Sequence, residues 1–176
     1  MSLPQETWET GPLHVARIVP RDRDFMVALL SIPALSAHKP VPVPDTPDRI
    51  AARFTSDLDH WARHGVGRWC VRAAGQPVGL CGLTHRAGFP GLNLSYHLSP
   101  DHWGKGWASL LAAGMVGLCA AWNDGPDHLH ALVRAANPAS ARVIEKAGFR
   151  RTAEVMLGGA PSKLWMRGFG RDAPGV

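Results

Sequence analysis

The chain has 176 residues, which at roughly 150 residues per domain is room for one domain over 1–176, and 45% of them are hydrophobic against 19% charged. That composition, with seven tryptophans, excludes a disordered chain, and no apolar run reaches the ~20 residues of a membrane span. The net charge of +5 favours anionic partners, but no Lys/Arg run exceeds two residues, so the basic stripe of a nucleic-acid-binding chain is missing.

The N-terminus shows no basic-then-apolar signal, and the expected address is cytoplasmic. Residues 12–19 alternate as a first strand. Asp22 offers an N-cap for a short helix with the apolar stripe Phe25, Met26, Leu29 and Leu30. Pro33, Pro40, Pro42 and Pro44 make 31–45 an extended, stiff loop. Thr46-Pro47-Asp48 then restarts a helix, with a cap, proline at its first position and an acid in the first turn, running through Ile50, Phe54, Leu58 and Trp61 towards Gly65. Arg68–Arg72, Val78–Thr84 and Leu92–Ser99 read as three strands joined by short glycine- and proline-containing turns, which favours antiparallel neighbours. Residues 107–122 form the clearest helix, with Trp107, Leu110, Leu111, Met115, Leu118 and Trp122 at helical spacing. His128–Val133 is a strand, Pro138–Ala147 a helix closed by Gly148, and Arg151–Met156 and Lys163–Arg167 are two late strands. The order β-α-α-β-β-β-α-β-α-β-β defines an α/β chain with mixed strand directions. Cys70, Cys81 and Cys119 match no metal spacing and read as reduced, buried thiols.

Two segments carry chemistry. In Tyr96-His-Leu-Ser-Pro-Asp-His-Trp-Gly-Lys-Gly-Trp-Ala108 a strand ends, a turn follows, and Gly104 and Gly106 open the strongest helix. Close backbone approach, free N–H groups and the positive helix end make an anion cradle suited to a pyrophosphate, with Lys105 at its mouth. The same glycines also serve a plain tight turn. In Asn137-Pro-Ala-Ser-Ala-Arg-Val-Ile-Glu-Lys-Ala-Gly-Phe149 the Asn137 amide follows the fifth strand and the Ser140 hydroxyl lies in the first helical turn. Both can line a ligand crevice, and both suit ordinary helix capping.

Together the two segments resemble the GNAT acyltransferase superfamily, in the branch of the ribosomal-protein N-terminal acetyltransferases and their small-amine relatives. The acyl-CoA signature of that family is similar to Trp103-Gly104-Lys105-Gly106-Trp107-Ala108, and its Asn-x-x-Ser…Lys-x-Gly-Phe element to Asn137, Ser140, Lys146, Gly148 and Phe149. The resemblance implies a central mixed, mostly antiparallel twisted sheet of about seven strands flanked by about four helices. It implies acetyl-CoA as cosubstrate and no metal. Pantetheine would lie like an added strand against the backbone of Tyr96, His97 and Leu98, the amides of 103–108 would hold the pyrophosphate, and Asn137 would bind near the thioester. Ser140 would hydrogen-bond the departing thiolate. The acceptor would be a primary amine on a small molecule, peptide or protein N-terminus, attacking the thioester directly. No nucleic acid or membrane is expected, and the chain would be a monomer or homodimer.

Two family positions depart from the pattern. Where many relatives carry a glutamate, three residues ahead of the tyrosine, this chain has Asn93; where many carry a tyrosine acid, seven residues after the asparagine, it has Ile144. His85 and His97 are the fallback bases. A site poor in bases suits an α-amine: at pH 7 a group of pKa ~7.8 loses its proton for about 1 kcal/mol, against about 4.6 kcal/mol for a lysine near 10.4. The loop 31–45 and the turn 156–162 would shape the acceptor side. Trp61 and Trp69 either line that groove or pack in the core, and Arg134 and Arg142 either meet the cofactor's ribose phosphate or stand in solvent. Alternatives to acetyl transfer are another short acyl-CoA donor or a non-catalytic acyl-CoA-binding regulatory module.

Overall fold

A computed structural model describes residues 5–170; the first four residues, on which part of the N-terminal reading falls, lie outside them. Eight strands, one more than expected, form one sheet. The extra strand is β1 (Thr7–Thr10), which pairs antiparallel with β2 (Leu13–Arg17) around Gly11. The chain continues with α1 (Arg23–Leu30), α2 (Pro47–His64), β3 (Arg68–Ala73), β4 (Gln76–Thr84), β5 (Leu92–Leu98), α3 (Trp107–Ala121), β6 (His128–Arg134), α4 (Pro138–Lys146), β7 (Arg150–Leu157) and β8 (Ala160–Gly168). The sheet order is β1-β2-β3-β4-β5-β6-β8-β7, and every neighbouring pair is antiparallel except β5–β6.

Local chemistry accounts for the helix ends, with one correction. Thr46 Oγ1 accepts the N–H of Arg49 at 3.4 Å, Pro47 takes the first helical position, and Gly65 closes α2 in the left-handed region. Asp22, read as the cap of α1, makes no cap bond. Its carboxylate accepts the Val19 N–H at 2.9 Å and a guanidinium N–H of Arg72 on β3, so at 3% exposure it is a buried tie between the α1 approach and the sheet. Trp122 stands just beyond α3 in an extended conformation. The proline-rich segment holds one short 3-10 turn, Pro33–Ser36.

One hydrophobic core binds the layers. Trp61 and Trp69 belong to it, at 3% and 0% exposure, with rings edge-on and centroids 5.4 Å apart. Strand alternation sends Trp8, Val15 and Val71 towards α3, where Trp8 lies against Gly114. The opposite face meets α2, where Arg68 is ion-paired with Asp57. The three cysteines are buried, and burial pushes the Cys70 thiol up to about 12. Among the described residues no helix is long and apolar enough to cross a membrane.

Candidate active site

Among the described residues the only parallel pair in the sheet is also its weakest seam. β5 and β6 pair at just two positions, Leu92–Leu129 and Asn93–His130, whereas β6 is matched to β8 along its whole length. Beyond Asn93 the strands diverge and leave a gap. The register of β5 decides which backbone groups face it. Ser99 N–H bonds Val78 O on β4, so by antiparallel alternation His97 and Ser95 also turn their backbones to β4, and Leu94, Tyr96 and Leu98 turn theirs to the gap. Of the three residues expected to present backbone groups to a ligand there, His97 is therefore a correction. Tyr96 and Leu98 remain, and the Leu98 carbonyl already accepts the indole N–H of Trp103 at 2.8 Å.

The glycine loop stands at the end of the gap. Gly104 and Gly106 both have φ +76, and a Cβ on either would meet nothing within 4 Å. The conformation demands glycine while the space above it stays open. No side chain caps α3, so its first N–H groups point out of the helix unpaired. Lys105 folds back over the loop, its ammonium 3.1 Å from His102 Nδ1 and 4.9 Å from the centre of the Trp107 ring, and Trp103 is 52% exposed.

From the other strand comes α4. Asn137 Oδ1 accepts the N–H of Ser140 at 3.1 Å, which is the capping role; the cap uses the oxygen and leaves the amide NH₂ uncommitted. Ser140 Oγ lies 3.1 Å from Tyr96 Oη, which donates to it across the gap. Burial pushes the Tyr96 phenol up, partly offset by that bond, so it holds its proton at neutral pH. Sequence reasoning used Tyr96 only for its backbone and missed its hydroxyl; the alternation of β5, which sets Tyr96 and His97 on opposite faces, was the signal available. Ile144, in the position of the missing acid, is 2% exposed and packs in the core.

The expected histidines go to two other places. His97 faces the α2 side of the sheet. Burial, then the positive fields of Arg68, Arg53, His38 and Lys39, hold its imidazole well below the ordinary histidine range, so the ring is neutral. His85 is not brought to Ser140. Its N–H donates to His60 Nε2 at 2.9 Å, its ring lies 4.6 Å from that of His64, and with His64, Leu92 and Trp122 it lines a cleft of about 320 Å³ beyond the paired end of β5. Arg134, considered for a ribose phosphate, is tied to the β7–β8 turn through Leu157 O at 2.6 Å.

A mixed sheet split at its one parallel pair, with an uncapped glycine-opened helix at the split, is the architecture of an acyl-CoA-dependent acyltransferase. The family model "Acetyltransferase (GNAT) domain" matches residues 13–150. The chain belongs to the GNAT acetyltransferase family; it is an acyltransferase with acetyl-CoA as cosubstrate. Solved structures agree in fold. An acetyltransferase from Agrobacterium tumefaciens is 21% identical over 95% of this chain and 96% of its own, with a TM-score of 0.79. RimL, described as a ribosomal L7/L12 alpha-N-protein acetyltransferase and solved with coenzyme A, is 15% identical over 95% and 100%, TM-score 0.78. A spermidine N-acetyltransferase from Vibrio cholerae, solved with CoA and spermine, is 17% identical over 91% and 97%, TM-score 0.71. No curated protein sequence matches the chain.

Proposed function

We propose that this acyltransferase acetylates a primary amine, with a preference for an α-amine, and that the two faces of the sheet divide the work at the β5–β6 gap. The observation that carries this reading is the Tyr96–Ser140 contact across the gap beside the open glycine loop. Acetyl-CoA supplies an activated thioester carbonyl. The N–H groups at the start of α3, with Gly104 and Gly106 letting the backbone come close, suit its pyrophosphate. Backbone groups of Tyr96 and Leu98 suit its pantetheine arm, and the free Asn137 amide its thioester end. Trp103, Lys105, Trp107 and Ala108 complete the loop that would hold the phosphates.

Ser140 accepts from Tyr96 and so has its own O–H free to donate to the sulfur as negative charge develops there. On the other face His97 is neutral and able to accept the proton that the amine sheds once it has attacked. Its depressed basicity makes it a poor match for a lysine ammonium, so the acceptor should arrive already neutral. His85, tied to His60, plays no part in this scheme. Neither common acid/base residue of the family is needed, because positioning and hydrogen bonding supply most of the barrier reduction.

The test is calorimetric titration with acetyl-CoA, followed by CoA-release assays on peptides offering an α-amine or a single lysine ε-amine. Micromolar binding, faster turnover on the α-amine, and a loss of about 10-fold or more in kcat in Ser140→Ala with unchanged acetyl-CoA affinity are expected. Binding without any amine acetylation would favour a non-catalytic acyl-CoA-binding module, and a faster rate on lysine would remove the α-amine preference.

A further inference from the structure

The α2-facing side of the sheet at the gap gathers polar groups that the transfer step leaves unused, apart from His97. Residues directly opposite on paired strands share a face. Arg68 on β3, Gly82 on β4 and Ser95 on β5 therefore form one row, and Cys70, Leu80 and His97 the next. Gly82 contributes no side chain, so the floor between Arg68 and Ser95 is bare backbone. Arg68 is 3% exposed and donates Nε–H to Asp57 Oδ2 at 2.8 Å, yet its Nη1 has no partner, and neither has Ser95 Oγ or His97 Nδ1. Buried donors are normally satisfied, and an unsatisfied guanidinium nitrogen points to an acceptor that arrives with a ligand.

The charge around them is one-sided. The His97 ring feels Arg68, Arg53, His38 and Lys39, and His38 feels Arg134, which brings the 31–45 loop and the β7–β8 turn to the same place. Both acids there are taken, Asp57 by Arg68 and Asp45 by Lys39 at 3.6 Å. Arg53, one helical turn before Asp57, has no carboxylate within ion-pair distance among the described residues. Arg53 is exposed at the surface of α2, and the field of the Arg68 guanidinium, more than desolvation, pulls it down to about 10. The two guanidiniums thus act on one another through space, and Arg68 is the one that is ion-paired with Asp57.

We propose that this face is an oxyanion subsite of the acceptor pocket, in which a carboxylate carried by the amine substrate binds Arg53 and the free Nη1 of Arg68, bordered by Ser95 and His97. The inference rests on amine acetylation and names its substrate class: an amine that carries a carboxylate, in contrast to a polyamine, which these cations repel. Guanidinium groups recognise carboxylates through their N–H donors, and Arg68 keeps Nη1 without a partner for that purpose.

The experiment compares Ala-Glu-amide, Ala-Gln-amide, Ala-Lys-amide, Ala-Gln with its free C-terminal carboxylate, and spermidine as acceptors. It also measures calorimetric binding of N-acetyl-Ala-Glu-amide and N-acetyl-Ala-Gln-amide to the CoA-loaded protein, which reads the subsite without turnover. One or both carboxylate-bearing peptides should exceed Ala-Gln-amide in kcat/KM by about 10-fold or more, and which one does so tells a side-chain carboxylate from a terminal one. Arg53→Gln should reduce that preference to within about twofold and leave acetyl-CoA affinity unchanged. Arg53 is substituted in place of Arg68 because removing Arg68 strands Asp57 in the interior. Equal use of the neutral and cationic peptides, or better use of spermidine, overturns the subsite and leaves amine acetylation standing. Absence of turnover with selective binding of N-acetyl-Ala-Glu-amide overturns the transfer reading and keeps the subsite, and equal binding of both N-acetyl peptides together with no advantage of Ala-Gln over Ala-Gln-amide overturns the subsite.

Discussion

The two faces of the sheet at the β5–β6 gap are built from different materials. On the α3–α4 face the groups that meet a ligand are mostly main chain: the open α3 terminus, the loop at Gly104 and Gly106, and the Tyr96 and Leu98 backbone, joined by the neutral Tyr96–Ser140 pair. On the α2 face they are side chains, dominated by the buried Asp57–Arg68 pair and its cationic neighbours. The two faces are therefore fragile in different ways. A backbone cradle is damaged by a change of conformation and costs the fold little. A side-chain constellation with buried charge is bound into the stability of the whole sheet.

The largest effect is expected of Asp57→Ala. It leaves the Arg68 charge buried without its partner, and such losses cost about 3–5 kcal/mol. Chemical denaturation should show a fall of that size, and a stable variant would mean the pair does not hold this face. Gly106→Val is the counterpart on the other face. At φ +76 a β-branched residue is strained by about 1–3 kcal/mol, while the open space means no clash. Acetyl-CoA affinity should drop by more than the fold does, which calorimetry and a melting curve on one sample will separate.

Acid titration separates the faces less drastically. His97, His38, His60, His85 and His130 are all held below the usual histidine range, chiefly by burial. The unfolded chain therefore binds more protons than the folded one below about pH 6.5. Stability should be complete above that pH and decline as pH falls through and below it, by at most about 1.4 kcal/mol per pH unit per histidine. Melting curves from pH 7.5 to 5.0 check the sign, and replacing His97 with Gln should flatten part of the slope. The smallest effect belongs to Tyr96→Phe, which keeps the ring and backbone and removes one neutral hydrogen bond. A loss near 1 kcal/mol, about fivefold in kcat, is expected with acetyl-CoA affinity retained.

The face built from backbone was the one legible in the sequence. Gly104, Gly106, Asn137 and Ser140 lie in two short segments whose local geometry follows from the residues themselves: positive φ needs glycine, and an Asn three residues before Ser caps a helix. Helices α2 and α3 were legible for the same reason, through a Thr-Pro start and sustained apolar spacing. Strand β1 was missed because its four residues carry little pattern of their own and gain their form only by pairing with β2. Asp22 misled because its local context is that of a cap, and only β3 brings Arg72 to claim it.

By itself, then, the sequence determined the order of the elements after β1 and the glycine-opened helix beside a strand end, which depend on neighbours within a dozen residues, and two such local segments together carried the resemblance to an acyl-CoA-using family. Tertiary structure alone decided the rest. It set the parity that sends Tyr96 to Ser140 and His97 to the opposite face, since a one-residue shift of β5 against β4 would exchange them. It removed His85 to a histidine cleft and returned Arg134 to the β7–β8 turn. It also set Arg68 and Ser95 in one row across Gly82 and paired Arg68 with Asp57 of α2, because opposite charges and facing side chains interact through space and carry no signature in local spacing.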